Sequence, residues 1–331
     1  MKWHGREFFG GRGGNQGWRL ALAFAAIAAG AGVTTATATA ASGHAPARGR
    51  VTEGNPLPTA RPESVKVTSH FVWAPASGSL SGDSTFLNNG ATNGKKKDLL
   101  FVTENLTPGG ISPCPCLLEP APAIGVWYDG SRWAIFNEDR STMGTLMSYN
   151  VLVVPKAGHA AFTVHATSAN KHGDYMIINS PATNGNPKAL IQVTQVFNPS
   201  SVANPHQVGV RYFKVRHRWA VFNEDGAAMP LNASFNVLVG DAPSNGGQAA
   251  LLTARAGNKV NAAVLISNSE TTGNPNNVVF ATQDFNPGDK GGTINNAQII
   301  VDYSGTKEAV VNWASPPPPV ATAFNLLIFS S

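Results

Sequence analysis

The sequence predicts an all-β protein made of three tandem, divergent repeats, each an antiparallel sandwich- or barrel-like unit of about 86 residues. Three observations carry that prediction. Trp133–Asp139 (WAIFNED) returns 86 residues later as Trp219–Asp225 (WAVFNED) with six identities in seven. Short runs of apolar and β-branched residues are separated by Gly, Pro and Asn turn signals, and helical periodicity is absent. Charged residues make up 13% of the chain, against roughly 25% in an ordinary soluble domain, and turn formers replace them.

In chain order, residues 1–41 read as a signal peptide. Lys2, Arg6, Arg12 and Arg19 precede an apolar run from Leu20 to Val33, and small residues follow, with A-x-A-like points between Ala36 and Ala40. The run is 14 residues long, short of the roughly 20 that span a bilayer. Export to the extracellular space or cell surface is therefore expected, with no membrane span after cleavage. Residues 42–65 lack periodicity and are rich in Pro, Gly and charge, the composition of a disordered linker.

The repeats then fill the chain as 66–156, 157–243 and a divergent third copy, 244–331. Tyr149–Val153 matches Phe235–Val239, again 86 apart, and Gly125-Val126 with Tyr128 matches Gly209-Val210 with Tyr212. In the third copy, Ala281–Pro287 answers Val193–Pro199, and Phe324–Ile328 answers Phe235–Val239. Within the second copy the expected strands are 160–166, 175–178, 189–197, 208–213, 219–222 and 235–239, with turn chemistry over 180–187. Each unit is long enough for a small core of its own. These W-A-I-F-N-E-D and F-N-V-L-V segments resemble those of an uncharacterised family of secreted bacterial β-repeat proteins. The resemblance implies an extracellular repeat fold and brings no known activity with it.

Several classes of function lose support. Without residues 1–41, which hold four basic and one acidic residue, 20 basic face 18 acidic residues. That balance gives no clustered basic surface for nucleic acid. The only cysteines, Cys114 and Cys116, form no disulfide framework. Hydrolase and phosphate-binding motifs are missing, so no catalytic residue and no metal ligand is assigned.

Comparison between copies supplies the candidates. Asn137, Asn223 and Asn312 persist in all three copies, as do Asn150, Asn236 and Asn325. Asparagine is a poor strand former, so its repetition implies an amide that satisfies backbone groups. Positions shared by two copies and lost in the third point instead to a ligand. Glu138-Asp139 and Glu224-Asp225 give way to Trp313-Ala314, and Trp133 and Trp219 give way to Glu308. The aromatics Trp127, Tyr128, Trp133, Tyr212 and Trp219 could form a platform for sugar rings or an apolar partner, or could simply pack across strands. The carboxylate pairs leave Ca²⁺ as the one cofactor open. The expected function is a non-enzymatic binding or adhesion protein for an extracellular glycan or surface protein. A secreted hydrolase with its site between repeats, and a structural matrix or sheath component, are the alternatives.

Overall fold

The computed structural model describes residues 65–111, 122–240, 246–267, 271–313 and 316–330. The segment expected to be a signal peptide, almost all of the segment expected to be a linker, and Cys114 with Cys116 lie outside the described residues. Every repeat contributes seven strands. The first holds β1 (Ser69–Trp73), β2 (Leu80–Ser81), β3 (Ser84–Phe86), β4 (Asp98–Asn105), β5 (Ile124–Tyr128), β6 (Trp133–Asn137) and β7 (Ser148–Pro155). The second holds β8 (Ala161–His165), β9 (Lys171–His172), β10 (Tyr175–Ile177), β11 (Ile191–Val196), β12 (Val208–Phe213), β13 (Arg218–Asn223) and β14 (Ser234–Val239). The third holds β15 (Gly247–Thr253), β16 (Lys259–Val260), β17 (Ala263–Leu265), β18 (Val278–Asp284), β19 (Ile299–Ser304), β20 (Lys307–Asn312) and β21 (Ala323–Phe329). The chain is all-β as expected, and the six strands anticipated in the second copy are all present. Among the described residues no helix is long and apolar enough to cross a membrane.

The twenty-one strands form three seven-stranded sheets, and none of the sheets belongs to one repeat. Their orders are β1-β7-β4-β19-β20-β17-β16, β8-β14-β11-β5-β6-β3-β2 and β15-β21-β18-β12-β13-β10-β9. Each sheet therefore joins three strands of one repeat to four of another. Among the described residues the joints are the only parallel pairings: β5 on β11, β12 on β18 and β19 on β4. The last joint returns the third repeat to the first and closes the ring. Equivalent main-chain bonds zip the three joints, from Phe197 N–H to Val126 O, Phe285 N–H to Val210 O and Leu106 N–H to Val301 O, each 2.9 Å. Closure leaves the inner strands no free edge, which is where sheets are prone to aggregate.

Four cores follow from this arrangement. One surrounds Trp133, Ile135 and Val151 in the first repeat, one Trp219, Phe235 and Met229 in the second, and one Val310, Phe324 and Leu326 in the third. Each repeat thus has its own core between its halves of two sheets. The fourth, with Phe101, Leu152, Leu238, Phe280 and Phe329, draws on all three repeats. Alternation on the inner strands explains the division: Leu100 and Val102 face the first repeat's core, while Leu99 and Phe101 face the shared one. Strands buried on both faces read as continuous apolar runs, as Leu99–Val102 and Val151–Val154 do.

The shared core ends in a polar layer with the same threefold repetition. Asn150 Nδ2 donates to Val279 O, Asn236 Nδ2 to Leu100 O and Asn325 Nδ2 to Ile191 O, at 2.8, 3.1 and 3.3 Å. Beside them, Thr194, Thr282 and Thr103 hydroxyls accept from the N–H groups of Val102, Val193 and Ala281 at 3.1–3.2 Å. Every one of these bonds crosses between repeats. The recurring asparagines satisfy backbone groups, as their persistence implied, and they do so on a neighbouring repeat. The other set acts locally: Asn137, Asn223 and Asn312 each donate to a carbonyl four residues on, closing the turn after β6, β13 and β20.

Candidate functional site

The carboxylate pairs split between two environments. Glu138 and Glu224 are buried, and their carboxylates accept from the main-chain N–H of Asn204 at 2.9 Å and Asn295 at 3.4 Å. Each lies over a glycine of the neighbouring strand. A β-carbon on Gly125 would stand 2.1 Å from Glu138 Oε1, and one on Gly209 would stand 2.2 Å from Glu224 Oε1. The third repeat has Ile300 in place of the glycine and Trp313 in place of the glutamate, so the two positions change together. Burial pushes the carboxyls of Glu138 and Glu224 up to about 8, partly offset by those N–H bonds. Asp139 and Asp225 are exposed and cap the next turn, accepting from Ser141 N–H and Ala227 N–H at 2.9 Å. Within each pair the glutamate is buried and the aspartate faces solvent on its own turn, so neither pair converges on one ion. Among the described residues no three His, Cys, Asp or Glu side chains gather as metal ligands.

The aromatic candidates form no flat exposed platform. Trp219 is fully buried, Trp133 is 4% exposed and Tyr212 5%. Each tryptophan packs edge-to-face on the tyrosine across its hairpin, with centroids 5.5 and 5.6 Å apart. Each indole N–H clamps an incoming loop, Trp133 on Lys95 O and Trp219 on Asn186 O, at 3.0 and 2.8 Å. Their replacement in the third copy does not signal a wet position, because Glu308 is itself buried and its carboxyl is pushed up to about 8 by that burial. Trp127 is half-buried, edge-on to Phe86, and donates to Ser84 Oγ at 3.2 Å.

Tyr128 and Trp133 do border the largest recess described, a groove of about 920 Å³ where the first and second repeats meet. Its shape follows from the joint. Asn198, just beyond β11, accepts from Tyr128 N–H at 2.6 Å and fixes the tyrosine at the groove wall. Lys96 and Lys97 enter from the turn before β4, and Lys156 from the turn after β7; all three are exposed. Thr163 and His165 of β8 form the opposite wall. Two acidic groups share the groove. Asp129 is committed to its own turn by bonds from Ser131 and Arg132 N–H, and burial raises the Asp98 carboxyl, with Lys95 opposing. The equivalent recess between the second and third repeats is about 580 Å³ and more apolar, with Leu251 and Phe285 beside Lys188, Arg255 and Lys290.

Nothing in the sequence pairs the Lys95–Lys97 run with Lys156 or His165, which join Lys96 and Lys97 in one recess only in the folded chain. One available signal is the recurrence of Asn198-Pro199 as Asn286-Pro287. Asn286 holds Tyr212 N–H at 2.7 Å just as Asn198 holds Tyr128.

Neither the curated proteins nor the solved structures contain a match to the chain. One family profile, described as a domain of unknown function (DUF7452), matches three times, over residues 61–153, 145–239 and 209–328. With three matches that run through most of its length, the chain belongs to the DUF7452 family and carries its unit as a threefold repeat.

Proposed function

We propose that this is an exported, non-enzymatic binding protein that holds an acidic extracellular glycan in the groove between its first and second repeats. The observation that carries the reading is that Lys96, Lys97 and Lys156 line one recess together with Tyr128. An aromatic ring offers a face for a sugar, and ammonium groups on flexible stems meet spaced carboxylates or sulfates. Thr163 and Asn198 add polar side chains to the same lining. The leader sequence places the protein outside the cytoplasm in this proposal.

One observation favours the hydrolase alternative. His165 Nδ1 lies 2.7 Å from Ser234 Oγ, which is the contact a base makes with a nucleophile. Against it, Ser234 is 3% exposed, and among the described residues no carboxylate is bonded to His165.

The test is retention of the chain from residue 42 onward on immobilised acidic and neutral polysaccharides across a range of salt. Selective retention on acidic polymers that weakens with salt is expected. Equal retention on neutral polymers, or none on either, contradicts the proposal. Release of soluble product that stops in Ser234→Ala would establish the hydrolase instead.

A further inference from the structure

A second polar chamber lies where the three repeats meet, apart from the groove. It has a volume of about 60 Å³ and is lined by three equivalent segments, 102–104, 193–195 and 281–283, so it stands on the pseudo-threefold axis. That volume exceeds what one ordered water needs. The third residue of each segment is Glu104, Gln195 or Gln283, and each is at most 4% exposed.

The amides there are oriented by their donors. Gln195 Nε2 gives its hydrogen to His206 O at 3.3 Å and Gln283 Nε2 to Ala297 O at 3.4 Å, while Gln298 Nε2 donates to the Glu104 carboxylate. Turning either Gln195 or Gln283 over would set oxygen against a carbonyl. The Oε1 atoms of Gln195, Gln283 and Gln298 are consequently buried without a hydrogen-bond partner. Gln195, Gln283 and Gln298, each with an orphaned amide oxygen, line a single chamber together with Glu104, and its lining holds no Lys, Arg or His. Amide oxygens buried without a donor are costly, and a cation held by them together with Glu104 would remove that cost.

We infer that the axial chamber is a site for one hard cation, Ca²⁺, held by the Glu104 carboxylate and the amide oxygens of Gln195, Gln283 and Gln298. All-oxygen donors suit Ca²⁺, whose coordination tolerates irregular geometry, better than Mg²⁺, which demands a near-ideal octahedron and sheds its water reluctantly. Only one of the three equivalent positions is charged, which makes this a weak site of the extracellular kind, with Kd on the order of 0.1–1 mM.

The experiment is equilibrium dialysis of the chelator-stripped chain against Ca²⁺ and Mg²⁺, with thermal unfolding alongside. Two variants accompany it: Glu104→Gln, which installs the residue native to both equivalent positions, and Asp139→Asn with Asp225→Asn, which removes surface carboxylates. One Ca²⁺ per chain is expected in the wild type and in the surface variant, with Mg²⁺ at least about tenfold weaker. At about 10 mM Ca²⁺ the folding equilibrium should shift roughly tenfold or more. Glu104→Gln should keep its β-sheet circular dichroism and lose both effects. No saturable Ca²⁺ in the wild type, undiminished binding in Glu104→Gln, or loss in the surface variant alone would each overturn the inference.

Discussion

Alanine at Gly125 is the sharpest probe of how the repeat is built. Gly125 is not in the left-handed region, so its backbone accepts alanine without strain. What opposes it is space: the new β-carbon would be 2.1 Å from Glu138 Oε1 and 2.8 Å from Phe136 Cε1. Overpacking of that kind costs about 1–3 kcal/mol. Pushing the carboxyl aside also breaks its 2.9 Å bond from Asn204 N–H, worth about 1–3 kcal/mol when the donor stays buried. Gly125→Ala should therefore lose about 2–6 kcal/mol, summing those two costs. Glu138→Ala vacates the same space, so in that background the alanine should cost only about 1 kcal/mol, mainly from Phe136. The double-mutant cycle, read by urea unfolding at fixed pH, should return a coupling of about 1–5 kcal/mol, the difference between those two costs. The third repeat has already made the equivalent paired change, to Ile300 and Trp313. Single-mutant costs that add within about 0.5 kcal/mol would refute the claim that glycine is there to seat the glutamate.

Three further outcomes follow from the same structure. Burial raises Glu104, Glu138, Glu224 and Glu308 from 4.5 to about 8, and Asp284 from 3.8 to about 7. The folded state holds these protons more tightly than the unfolded chain, so their contribution is complete below about pH 4 and is lost as pH rises toward 8. Stability should fall by about 1.4 kcal/mol per pH unit for each such carboxyl within that window. Denaturant midpoints that rise from pH 5 to pH 8 would contradict this. Trp219→Ala should destabilise by about 3–5 kcal/mol, because it empties a core and frees Asn186 O; a midpoint shift worth under about 1 kcal/mol would mean that the indole is peripheral. Asn236→Ala should cost about 1–3 kcal/mol by stripping Leu100 O of its donor across repeats, and hydrogen exchange should rise in the first repeat as well as the second. Exchange confined to the second repeat would show that the polar layer does not couple them.

How much of this was legible depends on distance along the chain. Strands such as 208–213 and 235–239 were readable because apolar and β-branched residues recur between turn formers. The structural duty of Asn150, Asn236 and Asn325 was readable from repetition alone. Their partners were not, since Val279, Leu100 and Ile191 lie about 130 residues away in each case. The ring closure was equally hidden. It rests on parallel joints in register over one or two residues, such as Gln195 opposite Gly125, too short to leave a pattern. The groove inherits that blindness, because Lys97 and His165 become neighbours only through β5 on β11. Trp133 and Trp219 show the limit of comparing copies: packing and ligand contact are both compatible with their loss in the third copy, where Glu308 fills the position as a buried acid.

The most direct measurement is the affinity of the full chain for an acidic polysaccharide, compared between two triple variants. Lys96→Ala, Lys97→Ala and Lys156→Ala strip the groove between the first and second repeats, while Lys188→Ala, Arg255→Ala and Lys290→Ala strip its counterpart between the second and third. Exposed charges of this kind contribute up to about 1 kcal/mol each. At about 0.2–1 kcal/mol for each of the three, the first variant should thus bind roughly 3- to 150-fold more weakly with unchanged thermal stability, and the second should bind as the wild type does. Equal loss in both, or none in the first, would contradict the assignment of the groove.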